Sequence, residues 1–365
     1  MSIVESILVM LIMLSLLVIV HEYGHFIVAR LFKVRVNEFS IFMGPKLFQR
    51  TSKKTGMKFS IRALPIGGYC AMEDENGEDT KLGNVKDGSF FAKPKGVRAL
   101  VFVAGPFMNI LLGLVFSIVL FSISGFSTNV VSIIDKDHSL IAEYNNTVNE
   151  DEQITVGDKI ISYDGKMVLN PTDYSLFRSM DDDLHSVIEF KKENGKVIEI
   201  DFDRTPDKEG EPVKVLGMAF ERVESPNFFS IVWYSLKYLL TLVRTVLYSL
   251  LWIITGRVGM EAVAGPVGLT TVVSDVIELS GSITNTIINL LNMAALISVN
   301  LGLFNLIPFP GLDGGQLVLV GVEAIRGKRL PAEKQGLISI IGLVILIGIS
   351  VLVMGNDILR IINGG

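Results

Sequence analysis

The stretch LLVIVHEYGHFIVARLF, residues 16–32, sets polar and charged side chains inside an otherwise apolar run. His21 and His25 stand four residues apart, so on a helix both imidazoles project from one face and can bind one metal ion. Glu22 lies beside them as a candidate general base for a metal-activated water. Such groups are costly in an apolar segment, and together they predict a catalytic metal site.

A catalytic metal of this kind usually takes three protein ligands. Asp313 is the candidate for the third, because it follows two prolines in NLIPFPGLDGG (305–315), where a helix must break. Cys70 qualifies by residue type, although a small buried hydrophobe is the interpretation we favour. His138 and His185 are expected at a solvated surface. Two alternatives stay open: histidines solvated at a membrane surface, and Asp313 acting only as a helix cap.

The composition is that of a membrane protein with a soluble part: 49% of the 365 residues are hydrophobic, and the mean hydropathy is +0.49. Glu5 precedes the first apolar run without any Lys or Arg, which favours a retained helix over a signal peptide. The net charge of −5, without a basic stripe, argues against nucleic acid as a partner. Four segments are long and apolar enough to span a bilayer: roughly 3–31, 98–124, 285–312 and 336–354.

A fifth apolar block, 228–255, carries polar side chains every three or four residues. Lys237 and Arg244 lie on that stripe. An amphipathic helix of this kind is expected to lie at the membrane interface or against a partner rather than to span alone.

Charge distribution predicts the orientation of the four spans. Residues 31–98 hold 13 Lys and Arg against 7 Asp and Glu, whereas residues 125–229 hold 11 against 22. Basic loops collect on the cytoplasmic side. We therefore expect 31–98 inside the cell, 125–229 outside it, and both chain termini outside.

The acidic segment 127–205 has short β-rich runs separated by the turn signals YDG (163–165) and ENG (193–195). NPTDYSLFRSM between them predicts a helix that starts at Asn-Pro. The expected organisation is a membrane core at 1–126, a soluble α+β domain at 127–205, a linker with the amphipathic helix at 206–284, and a second membrane core at 285–365.

Three motifs together, HEYGH, AGPFMN (104–109) and NLIPFPGLDGG, resemble those of the site-2 protease family of intramembrane zinc metalloproteases. The soluble segment looks like a PDZ domain, since VGDKIISYDGKMV (156–168) is similar to a bacterial PDZ signature. This order of parts resembles the RseP-type branch with a single PDZ domain. The resemblance implies an α-helical polytopic membrane protein with four spans, a membrane-associated β-hairpin and one α+β extracytoplasmic domain.

The resemblance also implies roles for individual residues. It implies Zn²⁺ held by His21, His25 and Asp313, with Glu22 as the base. ALPIGGY (63–69) is similar to the family's β-hairpin, whose edge could pair with an unwound substrate segment; an ordinary turn is the alternative. The residues expected to bind substrate are Asn305, Pro308, Pro310, Gly67 and Gly68. Relatives often carry Gly-x-Gly in the loop that corresponds to 39–48, where this chain has Phe42 and Gly44.

The function implied is hydrolysis of peptide bonds within or near transmembrane segments, as in regulated intramembrane proteolysis. Anti-sigma factors, remnant signal peptides and pheromone precursors are the substrate classes that suit the family. The expected partners are single-span substrates and the lipid bilayer of a bacterial cell membrane, with the active site towards the cytoplasm. A metal transporter and a non-catalytic scaffold are the alternatives; the chain lacks the internal repeats of many transporters, and a scaffold has no use for Glu22.

Overall fold

The computed structural model describes residues 3–75, 86, 88–136, 139–180, 184–206, 213–259, 265–328 and 330–362. The chain divides into two compact units. One unit combines 1–116 with 246–365, and the other consists of 117–245.

The described helices are α1 (Ile3–Leu31), α2 (Lys95–Ser124), α3 (Leu140–Asn145), α4 (Pro171–Ser179), α5 (Phe228–Ile254), α6 (Pro266–Leu279), α7 (Ile283–Asn305), α8 (Asp313–Arg326) and α9 (Ala332–Ile362). The strands are β1 (Val36–Thr51), β2 (Lys58–Met72), β3 (Phe126–Ile134), β4 (Lys159–Tyr163), β5 (Lys166–Met167), β6 (His185–Lys191), β7 (Val197–Asp203) and β8 (Met218–Val223).

Five of the described helices are long and apolar enough to cross a membrane: α1, α2, α5, α7 and α9. Four of them coincide with the predicted spans, and α5 is the block that was expected to lie at the interface. The chain is thus mostly helical and multi-pass, with one more candidate span than the sequence predicted. The predicted break after α7 is present, because α7 ends at Asn305 and α8 begins only at Asp313.

Strands β1 and β2 form an antiparallel hairpin that curls on itself. The segment 38–41 is in register both with 58–61 and with 68–71. The curl occurs where Phe42 and Gly44 adopt positive φ angles of 66° and 84°. The expectation of a loop at 39–48 was wrong, because this stretch continues through β1; residues 63–69 likewise lie within β2 and do not form a turn.

The second unit contains a sheet with the strand order β7-β6-β4-β3-β8, and β5 pairs with β4. The alternation in β7 is complete, with every second side chain buried. Helix α4 starts as predicted, because the Asn170 side chain accepts hydrogen bonds from the backbone N–H groups of Thr172 and Asp173. Strand β8 lies in the predicted linker, so the sheet extends beyond residue 205.

One face of helix α5 packs against this sheet unit. The Tyr234 hydroxyl donates to the carbonyl of Ser127 at 2.7 Å, and the Asn170 amide donates to Thr241 Oγ1 at 2.6 Å. Another face exposes large apolar side chains at helical spacing, among them Phe229, Trp233, Leu240, Leu247 and Leu251. Helix α5 is therefore amphipathic, and two residues of its polar stripe, Tyr234 and Thr241, bond to the sheet unit.

Candidate active site

Three side chains converge in the membrane core. His21 and His25 lie one turn apart on α1, and their Nε2 atoms are 3.2 Å from each other. Asp313 Oδ2 lies 3.0 Å from His21 Nε2 and 3.3 Å from His25 Nε2. Both histidines are buried. No other group of His, Cys, Asp or Glu among the described residues is arranged to hold a metal ion.

Nε2 of His21, Nε2 of His25 and Oδ2 of Asp313 form a triangle of atoms, the metal triangle, whose protonation favours a bound cation. His25 Nδ1 lies 2.7 Å from the carbonyl oxygen of Val101, which can only accept, so Nδ1 carries the proton and a neutral imidazole presents a lone pair at Nε2. That lone pair faces a carboxylate oxygen and a second imidazole nitrogen, and Asp313 Oδ2 is buried without a well-aligned hydrogen bond. Tetrahedral zinc with bonds near 2.05 Å separates its ligand atoms by about 3.3 Å. The three atoms therefore fit a zinc ion.

Asp313 reaches the histidines because the chain turns sharply before it. It is the first residue of α8, and Leu312 in front of it makes no side-chain capping bond. Side chains at Gly314 and Gly315 would collide with the carbonyls of Ile307 and Phe309. These two glycines let the loop 306–312 fold back over the start of α8, with the Asp313 carboxylate turned to the imidazoles.

Helix α2 supplies the wall behind the histidines. A Cβ atom on Gly105 would fall against the Nε2 atoms of both His21 and His25, and one on Gly24 would collide with the carbonyl of Ala104. Asn109, on the same helix, is fully buried with its amide 3.1 Å from His21 Nδ1. No role was predicted for these α2 residues. The available signal was a lone amide in a long apolar segment, which is expensive unless it has a partner.

Glu22 is positioned by the β-hairpin. Its Oε2 accepts a hydrogen bond from the backbone N–H of Cys70 at 3.0 Å. About two turns earlier on α1, the Ser15 hydroxyl donates to the carbonyl of Pro65 at 2.7 Å. Helix α1 thus contacts β2 along its length, and the candidate base lies between the histidines and this strand. The Cys70 side chain is buried in the apolar core beneath.

Among the described residues, none of those expected to bind substrate forms a hydrogen bond or an ion pair with His21, His25 or Asp313. Asn305 donates from Nδ2 to the carbonyl of Leu301 on its own helix at 3.0 Å. Pro308 is exposed and Pro310 is half-buried in the loop, whereas Gly67 and Gly68 are buried. Their substrate role stays a prediction. His185 is exposed, as expected, and His138 lies outside the described residues.

Comparisons with known proteins find relatives among the zinc metalloproteases. The model of peptidase family M50 matches residues 9–349. A Fusobacterium nucleatum protein with the provisional name of zinc metalloprotease is 32% identical over 364 residues, which cover 98% of this chain and 99% of that protein. The regulator of sigma-W protease RasP of Bacillus subtilis is 26% identical, with 98% and 99% covered. The zinc metalloprotease RasP of Oceanobacillus iheyensis is 24% identical, with the same coverage.

Proposed function

The chain belongs to peptidase family M50, it is a zinc metalloprotease of the site-2 type, and from that premise we propose that it hydrolyses peptide bonds within or near transmembrane segments of single-span membrane proteins. The observation that carries the proposal is the triangle of His21, His25 and Asp313, whose ligand atoms lie 3.0–3.3 Å apart on apolar helices. In the proposal these three side chains would hold Zn²⁺.

The bound zinc supplies a Lewis acid that polarises the scissile carbonyl and lowers the pKa of water. Glu22 is the base in this proposal: its carboxylate takes a proton from the attacking water and passes it to the leaving amine. The hydrogen bond from the Cys70 N–H keeps the carboxylate next to the strand. A metal transporter or a scaffold has no need of an acid in this place.

Helix directions support four spans rather than five. His25 meets Val101 and His21 meets Asn109, so α2 runs antiparallel to α1. Helix α7 runs antiparallel to α2 in turn, because Gly302 packs at Pro106 and Gly113 at Ala295. Helices α1 and α7 are therefore parallel. The chain must leave α2 and enter α7 on the same side of the membrane.

An even number of crossings is then required between α2 and α7. Helix α5 is the only candidate span described between them, and α6 has only 14 residues. We therefore place α5 at the membrane interface, with its apolar face towards lipid and its polar face on the sheet unit. The site then lies towards the cytoplasm, since the basic stretch 31–98 follows the histidine end of α1.

Reporter fusions test this topology. Alkaline phosphatase is active only outside the cytoplasm, so fusions after residues 145, 256 and 281 should all be active, and a fusion after residue 54 should not. Inactivity of the 256 and 281 fusions beside an active 145 fusion would show that α5 crosses the membrane, and would overturn the four-span arrangement.

Substrate pairing is proposed at β2. A helical peptide bond is shielded by its own turns, so a substrate helix must open before hydrolysis, and an extended segment can then pair with a strand edge. Helix α1 already contacts β2 through Ser15 and Glu22. A substrate strand must therefore compete for these backbone groups or pair beside them. Asn305, Pro308 and Pro310 would contact the opened segment from the loop before Asp313, and Gly67 and Gly68 from β2.

The sheet unit is proposed to be a PDZ-like domain that restricts access according to size. Substrates whose outer domains have already been removed would then enter, and intact ones would not. The test compares cleavage of one single-span substrate with its outer domain intact and trimmed. Equal rates on both forms would contradict the size filter while leaving the protease proposal untouched.

Purified protein in detergent tests the activity itself. Incubated with candidate single-span substrates, it should cleave one within or next to the membrane segment, and a chelator should stop the reaction until zinc is restored. Glu22→Gln should abolish turnover and keep zinc bound. Cleavage that persists in Glu22→Gln would overturn the assigned mechanism.

A further inference from the structure

The AGPFMN motif of α2 contains one side chain that the proposed mechanism leaves without a task. Asn109 is fully buried in the membrane core, although an amide there is costly without partners. Its side chain lies 3.1 Å from Nδ1 of His21, on the side of the ring that faces away from Asp313. We propose that Asn109 is a positioning residue whose side-chain oxygen accepts a hydrogen bond from His21 Nδ1–H and keeps Nε2 free for zinc.

The direction of this hydrogen bond follows from the metal triangle, and the inference therefore rests on the proposed ligand set. A histidine that binds zinc through Nε2 carries its proton on Nδ1, which then needs an acceptor. In the structure the Asn109 NH₂ group faces Nδ1, and Oδ1 is buried without a hydrogen-bond partner among the described residues. The oxygen and nitrogen of an amide have the same shape, and the hydrogen-bond network decides between them.

Rotation of the Asn109 amide by half a turn gives Oδ1 a donor and gives the Nδ1–H of His21 an acceptor. Oδ1 then accepts a hydrogen bond from the Nδ1–H of His21. The opposite orientation would set two donors against each other whenever His21 binds metal through Nε2. The metal-bound state thus selects a single orientation of Asn109.

Helix α2 holds both imidazoles by this arrangement. The carbonyl of Val101 accepts from His25 Nδ1, and the side chain of Asn109 performs the same task for His21. The backbone of Asn109 is itself fixed, because the Ser298 hydroxyl donates to its carbonyl at 2.7 Å. Partners of this kind fix the tautomer and ring orientation of metal-binding histidines. A purely structural Asn109 would contribute to helix packing but not to zinc affinity.

Two substitutions test whether the Asn109 side chain accepts a hydrogen bond from His21 or donates one to it. Asn109→Leu removes the hydrogen bond at similar volume, and Asn109→Asp keeps only acceptor oxygens. We expect Asn109→Leu to weaken zinc binding about 10- to 100-fold, and Asn109→Asp to bind zinc as tightly as the wild type or more tightly. The full chain in detergent is titrated with zinc against a competing chelator, and the visible spectrum of the Co²⁺ form reports the ligand geometry.

Two control variants complete the experiment. Asn289→Leu removes another helix amide, one that bonds Ser280 Oγ at 3.0 Å, and should leave zinc affinity unchanged. His21→Ala should weaken zinc binding more than any Asn109 variant. Wild-type affinity in Asn109→Leu, or an equal loss in Asn109→Asp and Asn109→Leu, would overturn the role of Asn109. Wild-type affinity in His21→Ala would overturn the proposed ligand set instead, so the two failures are distinguishable.

Discussion

The guanidinium of Arg98 lies 3.0 Å from the carboxylate of Glu323, and both side chains are almost completely buried. This ion pair joins α2, which holds both histidine rings, to α8, which begins with Asp313. The Glu323 carboxylate also accepts from the backbone N–H of Leu330 and from the Gln335 amide. The pair therefore fixes the helix that carries the third ligand candidate against the helix behind the other two.

Removal of one partner of this pair should be costly. Glu323→Gln leaves the Arg98 charge buried without a counter-ion, and we expect a loss of about 3 kcal/mol in the free energy of unfolding. The double variant Arg98→Met, Glu323→Leu should recover most of that loss, since apolar replacements of similar size need no desolvation. Thermal unfolding in detergent provides the measurement. A Glu323→Gln protein as stable as the wild type would contradict the prediction.

Gly105→Ala should disable the site directly. The added methyl group would press on the Nε2 atoms of His21 and His25 and displace the ligands. Displacement on the scale of an ångström costs about 100-fold in catalysis, and zinc binding should fall with it. Gly96→Ala is the matched control, since a Cβ on this other α2 glycine meets nothing within 4 Å. Full zinc binding in Gly105→Ala would contradict the prediction that a methyl group at this position displaces the histidines.

Zinc should stabilise the fold, because its proposed ligands come from α1 and α8. A ligand that binds only the folded state at a thousand times its Kd adds about 4 kcal/mol. We expect chelation to lower the melting temperature of the wild type and restored zinc to raise it again. Asp313→Ala should lose most of this zinc-dependent shift. A shift that stays full in Asp313→Ala would exclude Asp313 as a ligand.

Cys70 should be unreactive in the folded protein. Burial raises the pKa of its thiol, and the nearby carboxylates of Glu22 and Glu75 raise it further. A raised pKa keeps the thiol protonated at pH 8, and only the thiolate is nucleophilic. Labelling with N-ethylmaleimide should therefore be at least about 10-fold slower in the folded than in the denatured chain. Equal rates would mean that the thiol is accessible.

Helix α5 should loosen from the sheet unit when Arg244 is replaced. Arg244 Nη1 lies 3.0 Å from Asp173 Oδ2 and also bonds the carbonyl of Met167. Arg244→Met leaves the buried Asp173 carboxylate without its cation, at a cost of about 2 kcal/mol given the partial exposure of the arginine. Faster hydrogen exchange in 228–245 is the expected signature. Lys237→Met, on the same helix, should exchange like the wild type.

Sequence reasoning succeeded where a short local pattern has one physical meaning. Two histidines at i and i+4 must share a helix face, and the β-rich runs of 127–205 predicted short strands, among them β7. Asp313 was accessible from sequence for a similar reason, because prolines and glycines must break the helix before it. The four predicted spans alternate in direction, so the first and the third run parallel and bring Asp313 to the depth of the histidines.

Sequence reasoning failed where the partner lies far along the chain. Glu323 stands three residues before Arg326, a spacing at which helical side chains meet, yet the structure buries Glu323 against Arg98, 225 residues earlier. The task of Asn109 depends on how two helices face each other, which apolar composition does not specify. The curl at Phe42 was also missed, since a bulky side chain at positive φ gives no local signal for it.

The division of the proposed metal ligands between α1 and α8 also has a consequence for biosynthesis. A ribosome completes the histidine helix long before it reaches Asp313, so an unfinished chain offers two imidazoles and no third ligand. We expect such a chain to bind zinc weakly and to cut nothing while it is still being inserted. A chain truncated after Leu312 should accordingly gain no thermal stability from zinc. Membrane proteins that are inserted nearby would therefore not be cut before synthesis of this chain reaches Asp313.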